Sequence, residues 1–275
     1  MPPDSLRKNK EYDLNDIEKA LDNISIKSNV VFVHSSVLHL GVLRNVDFSE
    51  YPGKIVNKIL EYLGSDSTLI VPAPNWDYGS KEIPFDIAKT PVSKELGVIS
   101  KYVVEREGSF RSPNPIFSVT AIGTKAEYIC HCDTGTAFGY DSPWDKMFRL
   151  NADMLFLGCD LTYLTFARYI EQRMGVPYLY NKLFDVPVLN DDNSIDLDIT
   201  APLRFHEYPA YYELARFEKY LRNKNILRET TLGAGQVMGL DMNSCFKSGV
   251  NQLKKDIHYF LKGRPEYVKG CIPFG

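Results

Sequence analysis

An imidazole and two hydroxyl groups directly follow a short apolar segment near the start of the chain. The β-branched run Val30–Val33 ends in His34, Ser35 and Ser36, and Gly41 marks a turn shortly afterwards. A buried strand that ends in this way delivers polar side chains to the rim of an α/β sheet, where ligands bind. His34 could therefore contact a ligand. The alternative is that His34 is a hydrogen-bonded structural residue and that the serines cap a turn.

A second apolar segment, Thr68–Val71, runs into a loop whose side chains suit the wall of a pocket. The loop Pro72–Gly79 carries an amide, an indole, a carboxylate and a phenol at the end of this strand. These groups belong to Asn75, Trp76, Asp77 and Tyr78. The position of Asp77 between two aromatic residues favours a functional carboxylate.

Two further segments place polar and aromatic residues after predicted strands or within loops. The loop Ala137–Trp144 contains three aromatic residues and several small residues. The strand Met154–Leu157 ends at Gly158 and leads into a helix predicted over residues 162–174. That helix carries Thr165, Arg168, Tyr169 and Glu171.

The elements that must position these residues alternate between strand and helix as far as residue 174. This alternation predicts an α/β fold with a mostly parallel sheet and helices on both faces, within an N-terminal region of residues 1–176. Helices are predicted before Val30, over 52–63 and over 92–105, and a strand over 117–122.

After residue 176 the pattern changes, and residues 177–275 are predicted to form a smaller α+β lobe that closes over the rim. Residues 182–199 look extended, helices follow near 208–222 and 243–261, and Gly233–Gly235 breaks the chain between them. An insertion within a single domain is the alternative.

Composition excludes several classes of function. With 275 residues, a net charge of −3 and a pI near 6.0, the chain has no basic surface for nucleic acid and no cationic cluster for a membrane. It has no long apolar run and opens with a polar segment instead of a signal peptide, so a cytoplasmic location is expected.

Cysteine and aromatic content point away from metal and towards an organic ligand. Five cysteines do not suggest a disulfide framework, and the triplet Cys130, His131 and Cys132 has no second cluster with which to complete a zinc site, so no metal is expected. The 17 tyrosines and 15 phenylalanines, several of them in loops, suit a pocket for an organic ligand, although they could equally form the core.

Six short motifs follow one another along residues 30–180. They are Val33-His34-Ser35-Ser36; Gly64 with Thr68–Pro72; Thr90-Pro91 with Leu96-Gly97; Arg111-Ser112 with Pro115 and Ser118; Phe138-Gly139 with Ser142-Pro143; and Leu157-Gly158 before Thr165 and Glu171. Together they resemble the aminoglycoside 3-N-acetyltransferase family.

The resemblance implies an acyl-coenzyme A donor and a primary amine on a sugar as the acceptor. Residues placed on the coenzyme A side are Ser35, Ser36, Leu40, Gly41, Arg111, Phe138, Gly139 and Ser142. Residues placed towards the acyl group and acceptor are Asn75, Trp76, Asp77, Tyr78, Asp86, Arg168 and Tyr169. A phosphate would suit a helix N-terminus, where unpaired N–H groups favour anions.

The segments Tyr169–Gln172 and Val176–Tyr178 look more similar to family members from sugar and polysaccharide biosynthesis, including anthrose biosynthesis, than to resistance enzymes. That likeness implies transfer of a 3-hydroxybutyryl-type group to the amine of a nucleotide-linked sugar such as dTDP-4-amino-4,6-dideoxyglucose. The alternatives are an aminoglycoside 3-N-acetyltransferase and a non-catalytic protein that binds coenzyme A or a sugar nucleotide. The oligomeric state stays open, a homo-oligomer included.

One departure from the family changes the expected mechanism. The family's helix histidine, a general base, corresponds to Arg168, and two other positions that are usually histidine hold Asn114 and Phe117. A guanidinium cannot accept a proton, so catalysis is expected to depend on alignment and oxyanion stabilisation. The expected catalytic residues are His34, Ser35, Asp77 and Glu171.

Within this hypothesis the oxyanion donor comes from His34, Ser35 or Ser36, and a carboxylate of Asp77, Glu171 or Asp86 holds the sugar ammonium. The competing version makes His34 a base. Asp86 could also cap the helix near Val92, and Arg168 could simply pair with Glu171 along its own helix.

Overall fold

The computed structural model describes residues 10–205 and 210–267. The N-terminal elements are β1 (Glu11–Tyr12), α1 (Leu14–Ile24), β2 (Val30–Ser35), β3 (Val42–Leu43), α2 (Tyr51–Leu63), β4 (Thr68–Pro72), α3 (Asp77–Lys81), β5 (Phe85–Asp86), α4 (Val98–Glu105), β6 (Phe110–Arg111), β7 (Val119–Gly123), α5 (Ala126–Cys130), α6 (Pro143–Arg149) and β8 (Asp153–Leu157). They are followed by α7 (Phe166–Met174), β9 (Leu179–Phe184), β10 (Val188–Asn190), β11 (Asn193–Ile195), β12 (Ile199–Arg204), α8 (Ala215–Asn223), β13 (Arg228–Leu232), β14 (Gly235–Asp241) and α9 (Met242–Lys255).

A seven-stranded sheet with the order β13-β14-β8-β2-β4-β7-β6 forms the centre of the molecule. The predicted α/β class is confirmed. The sheet is mixed, however: β8, β2 and β4 are parallel, whereas β7, β6, β14 and β13 pair antiparallel to their neighbours. The prediction of a mostly parallel sheet therefore holds for its centre only. A strand covered on both faces has an apolar sequence in either direction, so composition did not reveal the reversal.

Alternation along the central strands sends side chains to two separate cores. Val31 and Val33 of β2 pack with α1, α2 and α4 on one face, and Val30 and Phe32 pack with α5 to α9 on the other. Both faces of the sheet are therefore covered by helices, as predicted.

The predicted elements differ from the observed ones mainly at their ends. The helix predicted over 92–105 begins only at Val98, because Ser93 and Leu96 are held in a turn by backbone hydrogen bonds to Pro74 and Ser93. The helices expected near 208–222 and 243–261 are α8 and α9, and residues 208 and 209 lie outside the described part of the chain.

Residues on both sides of the predicted division at 176/177 contribute to the central sheet and to both of its cores. The hairpin β13–β14 extends the central sheet beside β8, and β10 pairs with β5. The tight turn at Gly233 lies on the turn after β2, with the Ala234 amide donating to the Leu40 carbonyl at 2.8 Å. A Cβ on Gly233, whose φ is +57°, would lie 2.1 Å from that carbonyl oxygen. The division itself stays a prediction.

The carboxylate of Asp153, the first residue of β8, joins three parts of the chain that are distant in sequence. It is fully buried and accepts the amides of Lys27 and Ser28, at 2.7 and 3.0 Å, and Nη2 of Arg228 at 2.7 Å. It therefore connects the loop before β2, the start of β8 and the edge strand β13. Of the helices in the described residues, none has the length and apolar character needed to cross a membrane.

Replacing Asp153 with alanine is expected to destabilise the fold strongly. The change would strand the Arg228 charge and two amides, which corresponds to a loss of about 3–5 kcal/mol in the free energy of unfolding. Urea denaturation measures this loss. The matched control is Glu11→Ala, which removes an exposed ion pair with Arg44 and should cost less than about 1 kcal/mol. Equal losses in the two variants would contradict this role of Asp153.

Candidate active site

A cavity of about 260 Å³ opens at the rim of the central sheet. It lies at the carboxyl ends of β2 and β4, at the amino end of the antiparallel β7, and against the start of α7. Its lining residues are His34, Pro72, Pro74, Trp76, Leu96, Ile116, Phe117, Ser118, Trp144, Thr162, Tyr163, Leu164, Thr165, Ala167, Arg168, Tyr212 and Leu214. This is the position where ligands bind in open α/β sheets.

The lining is largely apolar and contains one histidine and one cation. Among its residues, all of which belong to the described part of the chain, there is no carboxylate. Nor do the described residues contain any group of three or more His, Cys, Asp and Glu side chains that could hold a metal ion. The polar groups that the described lining residues offer for chemistry are those of His34 and Arg168 and a few hydroxyl groups.

His34 lies at the end of β2 between two aromatic rings. Its imidazole stacks on Phe156 at a centroid distance of 5.0 Å and meets the edge of Phe32 at 4.8 Å. The side chain is 5% exposed, and Nε2 has no hydrogen-bond partner among the described residues. A buried polar atom without a partner costs free energy, so a ligand in the cavity would satisfy a need that the fold leaves open.

Burial also decides the charge of this imidazole. Desolvation of the buried ring lowers the pKa of His34 from 6.5 to about 3. Among the described residues, no carboxylate pairs with the imidazole to stabilise its charged form. His34 is therefore neutral at physiological pH. A neutral imidazole with so low a pKa is a weak base, but it can donate a hydrogen bond from the ring nitrogen that carries the proton.

Arg168 also lines the cavity and is held in place by a buried carboxylate. Its Nη1 donates to Oε2 of Glu171 at 2.6 Å, and its guanidinium stacks on the Tyr212 ring at 3.3 Å. Glu171 is fully buried and also accepts the hydroxyls of Tyr178 at 2.8 Å and Tyr212 at 3.3 Å. Burial would lower the pKa of Arg168, but Glu171 outweighs it and raises that pKa, so the guanidinium stays charged.

Comparison with known proteins identifies the relatives of this fold. The family model described as aminoglycoside 3-N-acetyltransferase matches residues 32–254, which is most of the chain. The chain belongs to the aminoglycoside 3-N-acetyltransferase family. The family resemblance predicted from the six motifs is confirmed.

Individual relatives of the aminoglycoside 3-N-acetyltransferase family are distant. Aminoglycoside N(3)-acetyltransferase III from Salmonella sp is 28% identical over 113 residues, which are 41% of this chain and 40% of that protein. The chain thus spans about two fifths of the length of the first curated relatives it matches. Aminoglycoside N(3)-acetyltransferase IV from Salmonella sp is 25% identical over 233 residues, covering 84% of this chain and 83% of that one.

Solved structures of the family share the fold. The apoenzyme of aminoglycoside acetyltransferase AAC(3)-IVa superposes with a TM-score of 0.74 at 22% identity, covering 92% of each chain. The binary complex of AAC-IIIb with CoASH gives 0.75 at 20% identity, covering 93% of this chain and all of that one.

Of the residues predicted from the sequence, three line the cavity of this family member: His34, Trp76 and Arg168. Ser35 and Ser36 follow His34 but are not among the lining residues, and the Ser36 amide is bound to the Leu157 carbonyl at 2.8 Å.

The remaining members of the predicted pocket loop also lie outside the cavity. Asn75 donates to the Pro91 carbonyl at 2.8 Å, and Asp77 pairs with Lys81 on the exposed face of α3 at 3.1 Å. Tyr78 is fully buried and donates to the Val186 carbonyl at 2.6 Å. Of the four residues predicted from this loop, Trp76 alone lines the cavity, together with Pro72 and Pro74, which were not predicted as site residues.

Three further residues that were predicted to contact the substrate or to act in catalysis do not line the cavity. Tyr169 follows Arg168 directly and therefore points to another side of α7, where its hydroxyl donates to Asp145 at 2.9 Å. Asp86 is buried and accepts the amides of Ala88, Lys89 and Asp192, which organises a loop. Glu171 lies beneath Arg168 and does not line the cavity.

The residues predicted for coenzyme A contacts serve the fold in the described structure. Leu40 and Gly41 lie under the β13–β14 turn and against the Lys10 carbonyl, respectively. Arg111 binds the carbonyls of Thr90 and Ala73 and stacks on Phe85 at 4.6 Å.

The predicted contacts in the loop before α6 have comparable structural roles. Phe138 is core and packs on Trp144, Gly139 packs against Thr136, and Ser142 caps α6 by accepting the Asp145 amide at 3.2 Å. Whether any residue of these two groups touches coenzyme A stays a prediction.

Sequence reasoning missed several lining residues, above all Tyr212. Tyr163 and Leu164 belong to a short 3₁₀ turn directly after the predicted Gly158 loop, so their closeness to the strand end was a usable signal. Phe117 was noted only as a departure from the family, and Trp144 only as a ring in a loop. Tyr212 had no local signal, because it reaches the cavity from a segment 44 residues beyond Arg168.

The neutral state of His34 should appear in the pH dependence of stability. Because the unfolded chain binds a proton near pH 6.5 and the folded chain only near 3, acid shifts the equilibrium towards unfolding. Between pH 7.5 and 5.0 the wild type should lose about 2 kcal/mol more unfolding free energy than His34→Asn. Urea denaturation at both pH values tests this. Identical losses in the two proteins would contradict a depressed pKa for His34.

Proposed function

We propose that this protein is an acyl-coenzyme A-dependent N-acyltransferase that forms an amide on the primary amine of an amino sugar. The observation that carries the proposal is the buried, unpartnered Nε2 of His34 inside a cavity at the strand ends. Membership of the family and the CoASH complex of AAC-IIIb support a coenzyme A thioester as the donor.

The size of the cavity suits only the reacting ends of two substrates. About 260 Å³ is less than the roughly 300–1,000 Å³ typical of sites that enclose a whole drug-sized ligand. An acyl thioester and the ring bearing the amine would occupy the cavity, and the nucleotide of coenzyme A would remain outside. Trp76 and Tyr163, which are 42% and 58% exposed, would flank the entrance.

His34 acts in this proposal as a hydrogen-bond donor. Attack of a neutral amine on the thioester carbonyl places negative charge on its oxygen, and Nε2–H of His34 would stabilise that charge. A fixed donor in a largely apolar cavity is effective because it need not reorganise during the reaction. The low pKa of His34 argues against the competing role of general base.

The amine's proton does not require a dedicated base. The departing thiolate, whose free pKa is about 8.5, can accept it. Holding the amine and thioester in near-attack geometry can lower the barrier by on the order of 7–11 kcal/mol. This is more than the barrier reduction that corresponds to the rate factor of about 10²–10⁴ usually gained from a general base. Neither Asp77 nor Glu171 lines the cavity, so their predicted catalytic roles would have to be indirect.

Two acceptors come into question. The curated relatives are named aminoglycoside N(3)-acetyltransferases, which favours an aminoglycoside and acetyl transfer. The sequence likeness to biosynthetic members favours a nucleotide-linked amino-deoxy sugar and a longer acyl group. The comparisons give more support to the first acceptor. A cytoplasmic location remains a prediction from composition.

Thiol release from a panel of acyl-coenzyme A donors, acetyl to 3-hydroxybutyryl, tests the proposal. We expect release only when an amine acceptor is present, because hydrolysis lacks an aligned nucleophile in an apolar cavity. The acceptors are an aminoglycoside and a dTDP-4-amino-4,6-dideoxy sugar, measured in parallel. Coenzyme A binding without release for any acceptor would reject the enzyme in favour of a binding protein.

Replacing His34 with asparagine should lower kcat about 10²- to 10³-fold, the usual loss of one oxyanion donor, without changing the shape of the kcat–pH profile between pH 6 and 9. The control is His131→Asn, whose exposed side chain lies outside the cavity and should leave kcat unchanged. Loss of a kinetic pKa in the His34 variant would instead indicate that His34 is a base. Full activity would remove it from the mechanism.

A further inference from the structure

The cavity combines a fixed positive charge with a lining in which the described residues include no carboxylate. We propose that it recognises an anionic group, such as a phosphate or carboxylate, carried by the amine acceptor, and that Arg168 binds this group. The inference rests on the proposed function and narrows its acceptor class. It also predicts that a polycationic acceptor is a poor substrate for this protein.

Arg168 is positioned before any ligand arrives. Glu171 fixes Nη1 from beneath at 2.6 Å, and Tyr212 covers one face of the guanidinium at 3.3 Å. Tyr178 in turn holds the second oxygen of Glu171 at 2.8 Å. These contacts remove most of the rotamer freedom of a long side chain, so binding would not have to order it again.

The part of the guanidinium that Glu171 leaves unused is suited to an oxyanion. Among the described residues, Glu171 is the one hydrogen-bond acceptor of Arg168, and none of these residues accepts from Nε or Nη2. These two nitrogens donate along a common edge, which matches two oxygens of a phosphate or carboxylate. The side chain is 23% exposed and lines the cavity, so this edge is accessible to a ligand.

Charges around the cavity reinforce this preference. Arg204 also lies over the Tyr212 ring, at 5.4 Å, but it does not line the cavity, so Arg168 is the cation that a ligand would meet. The carboxylate of Glu171 is fully buried and already accepts three hydrogen bonds. Asp77 is paired with Lys81 outside the cavity. An acceptor with several ammonium groups would therefore meet a guanidinium, and no carboxylate among the described lining residues would offset that charge.

The test compares acceptors that differ only in charge: an amino sugar as its 1-phosphate and the same sugar as its neutral methyl glycoside. A nucleotide-linked form and an amino sugar acid distinguish the sources of the anion. The main variant is Arg168→Gln with Glu171→Gln, because removing Arg168 alone would leave a buried carboxylate without its cation and could unfold the protein. Arg204→Gln is the control, since it stacks on the same ring without lining the cavity.

We expect wild-type kcat/KM to be about 10- to 100-fold higher for at least one anionic acceptor than for the neutral glycoside, the range for a hydrogen bond to a charged group. The double variant should bring this ratio close to one, and Arg204→Gln should retain it. Three results would overturn the inference while leaving the N-acyltransferase proposal standing. They are equal kcat/KM for the charged and neutral acceptors in the wild type, a ratio that the double variant does not change, and a preference for an aminoglycoside. No acceptor-dependent thiol release at all would reject the proposed function itself.

Discussion

A buried carboxylate cannot remain charged without partners, and this constraint organises one wall of the cavity. Glu171 is fully buried and is satisfied by Arg168 from its own helix and by the hydroxyls of Tyr178 and Tyr212. Helix α7, the residues just after it and a segment 41 residues beyond Glu171 must therefore meet at one point. The same contacts decide where the guanidinium ends. The fold thus presents a cation to the cavity as a consequence of having buried an anion.

The surroundings of His34 depend on the strand order. His34 is the penultimate residue of β2, which lies between β8 and β4 at the centre of the sheet, so its imidazole is covered by Phe156 of the neighbouring strand and by Phe32. This cover both keeps the ring neutral and leaves Nε2 without a partner. Burial at the centre of a sheet rim hence produces a donor and removes a base, which fits a mechanism that relies on alignment more than on proton transfer.

The parts of this structure that local sequence encodes were predictable. The apolar run Val30–Val33, the polar residues after it and the helical pattern of residues 52–63 predicted β2, the rim and α2. Strand direction was not predictable, because a strand buried on both faces has the same composition whichever way it runs. The antiparallel β7 is the clearest case.

The residues that line the cavity followed the same division between local and long-range information. His34, Trp76 and Arg168 could be predicted because strand ends and helix positions are local features. Polar residues in other predicted loops, such as Asp77 and Ser142, are indistinguishable in sequence from residues that line the cavity, yet one pairs on the surface and the other caps a helix. The hairpin β13–β14 also has an implication for synthesis: β8 receives its outer neighbour only after residue 241 has left the ribosome, so nascent chains carry an open sheet edge that the last strands must close.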